Sequence, residues 1–455
     1  MPISAESVRK SQRKQWECLP SRDSFEFMSD HEWGFRTRAL HAGSQPDPYS
    51  GARAVPIYQT TSFVFEDTAD AADLFALQKF GSIYTRIGNP TLSAFEERVA
   101  SLEGGIGAVA TSSGQAAEFL TMAALAQAGD NIVANASLYG GTVTQFDVTL
   151  RRLGIDTRFV NANSPDAIEA KIDDNTKAIF TEIIANPSGE VADIEAIAEV
   201  ANRHGIPFVI DNTFATPFLC RPLEYGADIV VQSATKFLGG HGTSIGGVIV
   251  DSGRFDWGNG RFPAMTNPVP SYNGIKWWDN FGEYAFSTRV RSEQLRDVGA
   301  SMSPFNAFQI LQGIETLPQR MSEHVSNAQK VAEWLDADPR VGWVKYAGLP
   351  DSPHHAMAKK YIPIGPGAVF TFGVVGGRAA GGRFIAALQM ISHLANIGDA
   401  KTLILHPATT THQQLSDEQL KAAGVGDDMV RISVGLEDVE DIIWDLDQAL
   451  EAANG

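Results

Sequence analysis

Between residues 105 and 250 short apolar runs alternate with amphipathic stretches, and few folds accept that pattern. The runs are GAVAT (107–111), NIVANAS (131–137), KAIFTEI (177–183), IPFVIDN (206–212), DIVVQS (228–233) and GGVIV (246–250). Between most of them lie helical patterns such as AAEFLTMAALAQA (116–128) and DIEAIAEVANRHG (193–205). A strand that is apolar on both faces must be covered on both, and crossover helices between parallel strands do the covering. The pattern predicts an α/β fold with a mostly parallel, doubly wound sheet. Any ligand should then bind beyond the carboxyl ends of the strands.

A chain of 455 residues, 44% of them hydrophobic, exceeds what one core usually supports, so more than one lobe is expected. Residues 81–300 are assigned to the large domain. Within it, DWGNGRFPAMTNPVPSYNGIKWW (256–278) breaks the periodicity with proline, glycine and aromatics and is read as a long ordered loop. A helical segment (303–321), another long helix and a terminal α+β region follow. There Ser416 and Gln419 form a capping box, and Val439, Ile442, Ile443, Leu446 and Leu450 share one helical face. Residues 301–455 are therefore expected to be a second, smaller α+β domain. Residues 34–80 are read as an N-terminal arm and 1–33 as a disordered extension. Residues 1–27 are polar and mixed in charge, without a period, and globular patterning begins at HEWGFRTRALHAG (31–43); Met28 is accordingly read as the biological start.

With 54 acidic against 36 basic residues the formal charge is −18, which argues against nucleic acid or an anionic membrane as the main partner. Any cationic site must be local. The two cysteines, Cys18 and Cys220, are too few for a disulfide framework and lack metal-ligand spacing, which fits a reducing compartment, the cytoplasm. No run approaches the length of a membrane span, and the N-terminus lacks a signal-peptide core.

The residues with chemistry to offer gather at predicted strand ends. Asp211 closes IPFVIDN, and Lys236 follows IVVQ one step later. A carboxylate and an amine there would point into one crevice, where the lysine could hold an aldehyde cofactor and the carboxylate a protonated ring nitrogen. The plain alternative is a turn-capping Asp and an exposed Lys. Ser233 and Thr235 flank the lysine, and SSGQAA (112–117) puts the N–H groups of Gly114 and Gln115 at a helix N-terminus, a phosphate cradle or an ordinary N-cap. Tyr139, after the second run, could stack on a flat heterocycle or fill a core. Glu182 and Asn186 stand at a further strand end, where an amide could meet a ring hydroxyl.

In their order, the segments YTRIGNPT, SSGQAA, LYGGT, DNTFATP, SATKFLGGHG and RISVGLED resemble the motifs of the Cys/Met-metabolism family of fold-type I pyridoxal-phosphate enzymes, over essentially everything after about residue 33. The resemblance implies pyridoxal 5'-phosphate as cofactor, Lys236 as the Schiff-base lysine, Asp211 on the ring nitrogen, Tyr139 stacked on the ring and Asn186 at its hydroxyl. Gly114, Gln115, Ser233 and Thr235 would hold the phosphate. Tyr84 and Arg86 are similar to residues that reach the phosphate of a neighbouring subunit, which implies a homo-oligomer, usually a tetramer. Arg431 resembles the arginine that grips a substrate α-carboxylate, a role suited to a planar fork of donors; an interdomain ion pair is the alternative.

Three further segments, the insertion DSGRFDWGNGRFP…PSYNG, SPFNAFQILQGIETLPQRM and LANIGDAKTLILHPATTTHQQL, look like the O-acetylhomoserine sulfhydrylase branch, with Asn396 where cystathionine-handling members usually carry serine. That branch implies exchange of acetate for sulfide to give homocysteine, with O-acetylhomoserine and sulfide as small-molecule substrates. The alternatives are a γ-lyase or a cystathionine γ-synthase on the same fold, and a cofactor-binding protein without turnover. His406 and His412 of HPATTTH have no carboxylate or cysteine at ligand spacing and are read as structural, with no metal expected. VVGGRAAGG (374–382) is only loosely like a dinucleotide fingerprint and stands outside the parallel half.

Overall fold

The computed structural model describes residues 31–160, 164–185, 188–410 and 426–454. The expected disorder of residues 1–27, the Ser416–Gln419 box, His412 and Asn186 lie outside them.

Seven strands form the large sheet: β1 (Gly107–Thr111), β2 (Asn131–Asn135), β3 (Asp156–Val160), β4 (Thr176–Glu182), β5 (Phe208–Asp211), β6 (Ile229–Gln232) and β7 (Gly247–Asp251). Their order is β1-β7-β6-β5-β4-β2-β3, and only β7 runs against the rest. The six apolar runs read from the sequence are six of these strands. The seventh, β3, carries Asp156 and Arg158 among its five residues. It is the outer strand beyond β2, paired on one side only, so it needs no continuous apolar run.

Helices cover both faces. On one side Pro90–Glu103, Ile194–His204 and Pro304–Glu315 pack with Phe208, Ile210, Val230 and Val248. On the other side Gly114–Leu125 packs with Val109, Val209, Val231 and Ile249, and the aromatics of the 256–278 stretch join it. That stretch is ordered, as expected. Trp257, Phe262 and Trp277 are buried, so its prolines and glycines shape a path around large side chains.

A second sheet contains β8 (Val341–Lys345), β9 (Val369–Val374), β10 (Ser392–His393), β11 (Leu403–Leu405) and β12 (Met429–Ser433), in the order β10-β11-β12-β9-β8. All its pairs are antiparallel except β10 with β11. The helix Val439–Asn454 covers it with Val439, Ile442, Leu446 and Leu450 buried, the face read from the sequence. The first apolar cluster runs from the large sheet through Ile310, Ile314 and Leu317 to Phe372 and Leu446, and so carries the second sheet against one side of the first. Close approach there depends on Gly313, where a Cβ would stand 2.1 Å from the Gly239 carbonyl oxygen in the segment that follows Lys236. Among the described residues no helix is long and apolar enough to cross a membrane.

Candidate active site

The loops beyond the carboxyl ends of β1, β2, β4, β5 and β6 are tied to one another by Gln115 Nε2 to Thr142, Tyr139 N–H to Glu182 and Ser233 N–H to Thr213. Arg431 of β12 in the second sheet acts on both Lys236 and Tyr139, so that these residues border one crevice. Lys236 lies four residues beyond β6, in a tight turn fixed by Lys236 N–H to Ser233 O at 3.1 Å and Gly240 N–H to Lys236 O at 2.8 Å. Arg320, buried, donates to the Phe237 and Leu238 carbonyls and holds the next two residues in place. The Lys236 Nζ donates to Asn396 Oδ1 at 2.5 Å. Burial, and then the nearby Arg431 guanidinium, hold the amine below its ordinary pKa. Arg431 sits in β12, paired with Leu405 and Thr371. Burial lowers its pKa, and an electrostatic interaction with Tyr139 opposes the shift.

Opposite these cations stands a group of acids. Asp211 ends β5, and its Oδ1 accepts from Thr213 N–H at 2.7 Å. Burial pushes its carboxyl up to about 6, opposed by its hydrogen bonds with Thr213 and with Glu118. Glu118, on the helix Gly114–Leu125, is almost completely buried. Its two oxygens accept from Thr142 Oγ1 at 3.0 Å and from Gln115 Nε2 at 3.1 Å. Burial first, and Asp211 second, hold it well above the usual carboxylate range. Glu182, at the end of β4, accepts the backbone N–H of Tyr139 at 2.6 Å. That bond fixes the exposed Tyr139 ring at the mouth of the crevice, folded over Gly141, where a Cβ would stand 2.5 Å from the ring.

The helix Gly114–Leu125 begins at Ser113, whose Oγ accepts from Ala116 N–H. The N–H groups of Gly114 and Gln115 take no hydrogen bond among the described residues. Ser233 closes over them, and a Cβ on Gly114 would stand 2.7 Å from the Ser233 Cβ. A helix N-terminus with open N–H groups and a serine beside it suits a phosphate. Thr235 is engaged differently, since its hydroxyl donates to Gly246 O and accepts from Gly246 N–H.

Most of the residues expected from the sequence thus meet here: Lys236, Asp211, Tyr139, Gly114, Gln115, Ser233, Arg431 and Asn396. Tyr84 and Arg86 stand apart. Both are exposed, the Arg86 guanidinium lies 5.4 Å from the Tyr84 ring centre, and among the described residues no hydrogen bond or ion pair joins either to the crevice. His406 is buried, with its Nε2 3.0 Å from the Asp427 carbonyl oxygen. Glu118 and Thr142 were not anticipated. The available signal was Glu118 as the single charge in the helix GQAAEFLTMAAL, on a side that must pack.

A flat heterocyclic aldehyde bearing a phosphate and a basic ring nitrogen fits this chemistry. The low-pKa amine would take the aldehyde, the helix N-terminus the phosphate, and the buried Asp211, which has acids and hydrogen-bond donors around it, the cationic nitrogen.

Residues 36–451 match the family model described as Cys/Met metabolism PLP-dependent enzyme. The chain is 51% identical over 424 residues to an O-acetyl-L-homoserine sulfhydrylase of Leptospira meyeri, covering 91% of this chain and 96% of that one. It is 51% identical over 422 residues to the homocysteine synthase of Schizosaccharomyces pombe, covering 92% and 98%. A crystal structure named as an O-acetylhomoserine (thiol)-lyase of Campylobacter jejuni superposes with a TM-score of 0.89 at 40% identity, over 92% of this chain and 100% of the other, and it carries N'-pyridoxyl-lysine-5'-monophosphate.

Proposed function

Since the chain belongs to the Cys/Met metabolism family of PLP-dependent enzymes, we propose that it is an O-acetylhomoserine sulfhydrylase, replacing acetate by sulfide at the γ-carbon of O-acetylhomoserine to give homocysteine and acetate. The observation that carries this reading is Lys236, a buried amine beside Arg431 and hydrogen-bonded to Asn396, with the buried acid Asp211 at the end of the neighbouring strand, in a chain half identical to relatives of that name.

Pyridoxal phosphate, when bound, supplies the electron sink that lets protons leave the α- and β-carbons and acetate leave the γ-carbon. The chain's own residues do the rest. Lys236 is the attachment point, in keeping with the pyridoxyl-lysine of the Campylobacter protein. Its Nζ then moves protons at the substrate carbons; an amine below its ordinary pKa is neutral for more of the time at working pH. Asp211 keeps the ring nitrogen protonated, Tyr139 covers the ring, and Asn186 meets its hydroxyl. Gly114, Gln115 and Ser233 hold the phosphate, while Thr235, its hydroxyl engaged with Gly246, supports the loop that carries Lys236. Arg431 binds the substrate α-carboxylate, and Asn396, which accepts from Lys236 Nζ, lines the same place and orients the amine. The entering nucleophile is sulfide, in keeping with the sulfhydrylase name of the Leptospira relative.

Tyr84 and Arg86 serve the phosphate of a neighbouring copy, and the molecule works as a homotetramer in the cytoplasm. Their exposure in the single chain supports the first of these points, and the scarcity of cysteine the last. Neither nucleic acid nor a membrane is a partner, in keeping with the charge of −18.

The test is the absorbance spectrum of the bound cofactor, followed by O-acetylhomoserine with and without sulfide, assaying homocysteine and 2-oxobutyrate. Homocysteine should form only with sulfide. Release of 2-oxobutyrate regardless of sulfide would make the protein a γ-lyase instead.

A further inference from the structure

Among the described residues, Glu118 and Asp211 bring two carboxyl groups into hydrogen-bond contact in the interior, with Glu182 close by. Both are acceptors when ionised, so contact requires a proton between them. The oxygens of Glu118 are otherwise occupied: Thr142 Oγ1 donates to Oε1 and Gln115 Nε2 to Oε2. Asp211 is occupied by Thr213 N–H on one oxygen. Among the described residues the groups that act most strongly on Glu118 are Asp211 and Glu182 from the strand ends, Thr142 from the neighbouring helix and Gln115 from its own, and none of these four is a cation. The proton therefore belongs to the pair.

Resting on the functional reading above, we propose that Glu118 is a positioning residue which, as a neutral carboxylic acid, donates a hydrogen bond to Asp211 and thereby orients and keeps ionised the carboxylate that receives the cofactor's ring nitrogen. A second ionised acid at this place would repel Asp211. A neutral donor instead fixes the rotamer of Asp211 and withdraws negative charge from its far oxygen, while the near oxygen is left for the ring nitrogen. Glu118 touches neither substrate nor cofactor and acts only through Asp211.

Two substitutions separate this role from packing. Glu118→Gln gives up only the acceptor of Gln115 Nε2, which still has Thr142 Oγ1, and keeps an N–H donor for Asp211 and a carbonyl for Thr142. Glu118→Met keeps the volume and removes both. Apo-protein of each is titrated with pyridoxal 5'-phosphate across pH 5 to 8, following the absorbance of the bound cofactor, and the titration is repeated with the analogue in which carbon replaces the ring nitrogen. For the Gln variant, affinity should stay within about threefold of wild type with the same acid limb. For the Met variant it should fall roughly tenfold or more, the size expected for a hydrogen bond to a charged group, and its acid limb should move to higher pH, because Asp211 loses a bond that favours its ionised form. Neither variant should change affinity for the carbocyclic analogue.

Equal losses for both ligands would make Glu118 a packing residue and overturn the inference, as would a Met variant indistinguishable from wild type. Failure of the wild-type chain to bind pyridoxal phosphate would instead remove the functional reading on which it rests.

Discussion

The two faces of the large sheet each bury an acid at the strand ends, and they treat it in opposite ways. Side chains alternate along β5, so Val209 and Asp211 turn towards the helix Gly114–Leu125, while Ile210 and Asn212 turn towards the helix Pro90–Glu103. The first helix offers Glu118 and the second Glu103. Amides meet Glu103: Asn212 Nδ2 donates to its Oε1 at 2.9 Å, and Gln232 Nε2 donates to the same oxygen. Burial pushes its pKa up to about 8, so it is neutral at pH 7. Glu118 meets Asp211 and Glu182 instead. An acid among amides takes both donors on one oxygen and ties strands together, while its other oxygen has no partner among the described residues. An acid among acids needs a proton or a positive charge, and on that side stands Tyr139, with which Arg431 interacts.

The comparison is sharpened first at the crevice. Lys236→Ala should lower turnover by roughly 10³-fold or more, since the proposed function makes it both the attachment point and the proton carrier, with circular dichroism unchanged. The fold should tolerate the change because the turn is held by backbone bonds and Arg320 rather than by the amine. A variant with normal turnover would break the assignment of this face as the site.

On the other face the expected signature is in stability. The unfolded chain releases the Glu103 proton near pH 4.5, whereas the folded chain keeps it to about 8. Unfolded molecules therefore hold fewer protons across that window, and the Glu103 contribution to stability falls as pH rises, by at most about 1.4 kcal/mol per pH unit. Urea midpoints of wild type and Glu103→Gln at pH 5 and pH 8 isolate the slope, because glutamine does not titrate. Parallel pH profiles would show that Glu103 is not the neutral acid described here. Glu103→Leu leaves the Asn212 and Gln232 amides short of an acceptor and should cost about 2 to 3 kcal/mol. The turnover of the folded fraction should change little. Loss of turnover at unchanged stability would make both faces functional and dissolve the contrast.

Much of this was legible in the sequence, for identifiable reasons. Strands buried on both faces must be continuously apolar, so six of the seven large-sheet strands announced themselves, and the turns that follow β5 and β6 placed Asp211 and Lys236. β3 escaped because an outer strand can carry Asp156 and Arg158. Glu118 escaped for a different reason. Helical periodicity marks which residues are buried, and a single acid on a packed face reads as a flaw until its partners are known, yet those partners, Asp211 and Thr142, are 93 and 24 residues away along the chain. Tyr84 and Arg86 were legible as a motif, but one chain alone does not contain what they would reach. The motif also pointed to Thr235, whose hydroxyl the structure commits to the Gly246 backbone.

The smallest effect tests where the crevice network ends. Thr142 is fully buried; its hydroxyl donates to Glu118 Oε1 at 3.0 Å and accepts from Gln115 Nε2 at 3.2 Å. Thr142→Val preserves shape and removes one donor from Glu118, while Gln115 still serves the other oxygen at 3.1 Å. One neutral hydrogen bond is worth about 1 kcal/mol, so the urea midpoint should drop by that equivalent and cofactor affinity should barely change. If affinity falls while the midpoint holds, Thr142 does more than satisfy a buried oxygen. It then sets the direction in which Glu118 presents its proton, and the positioning network extends one residue further from the ring nitrogen.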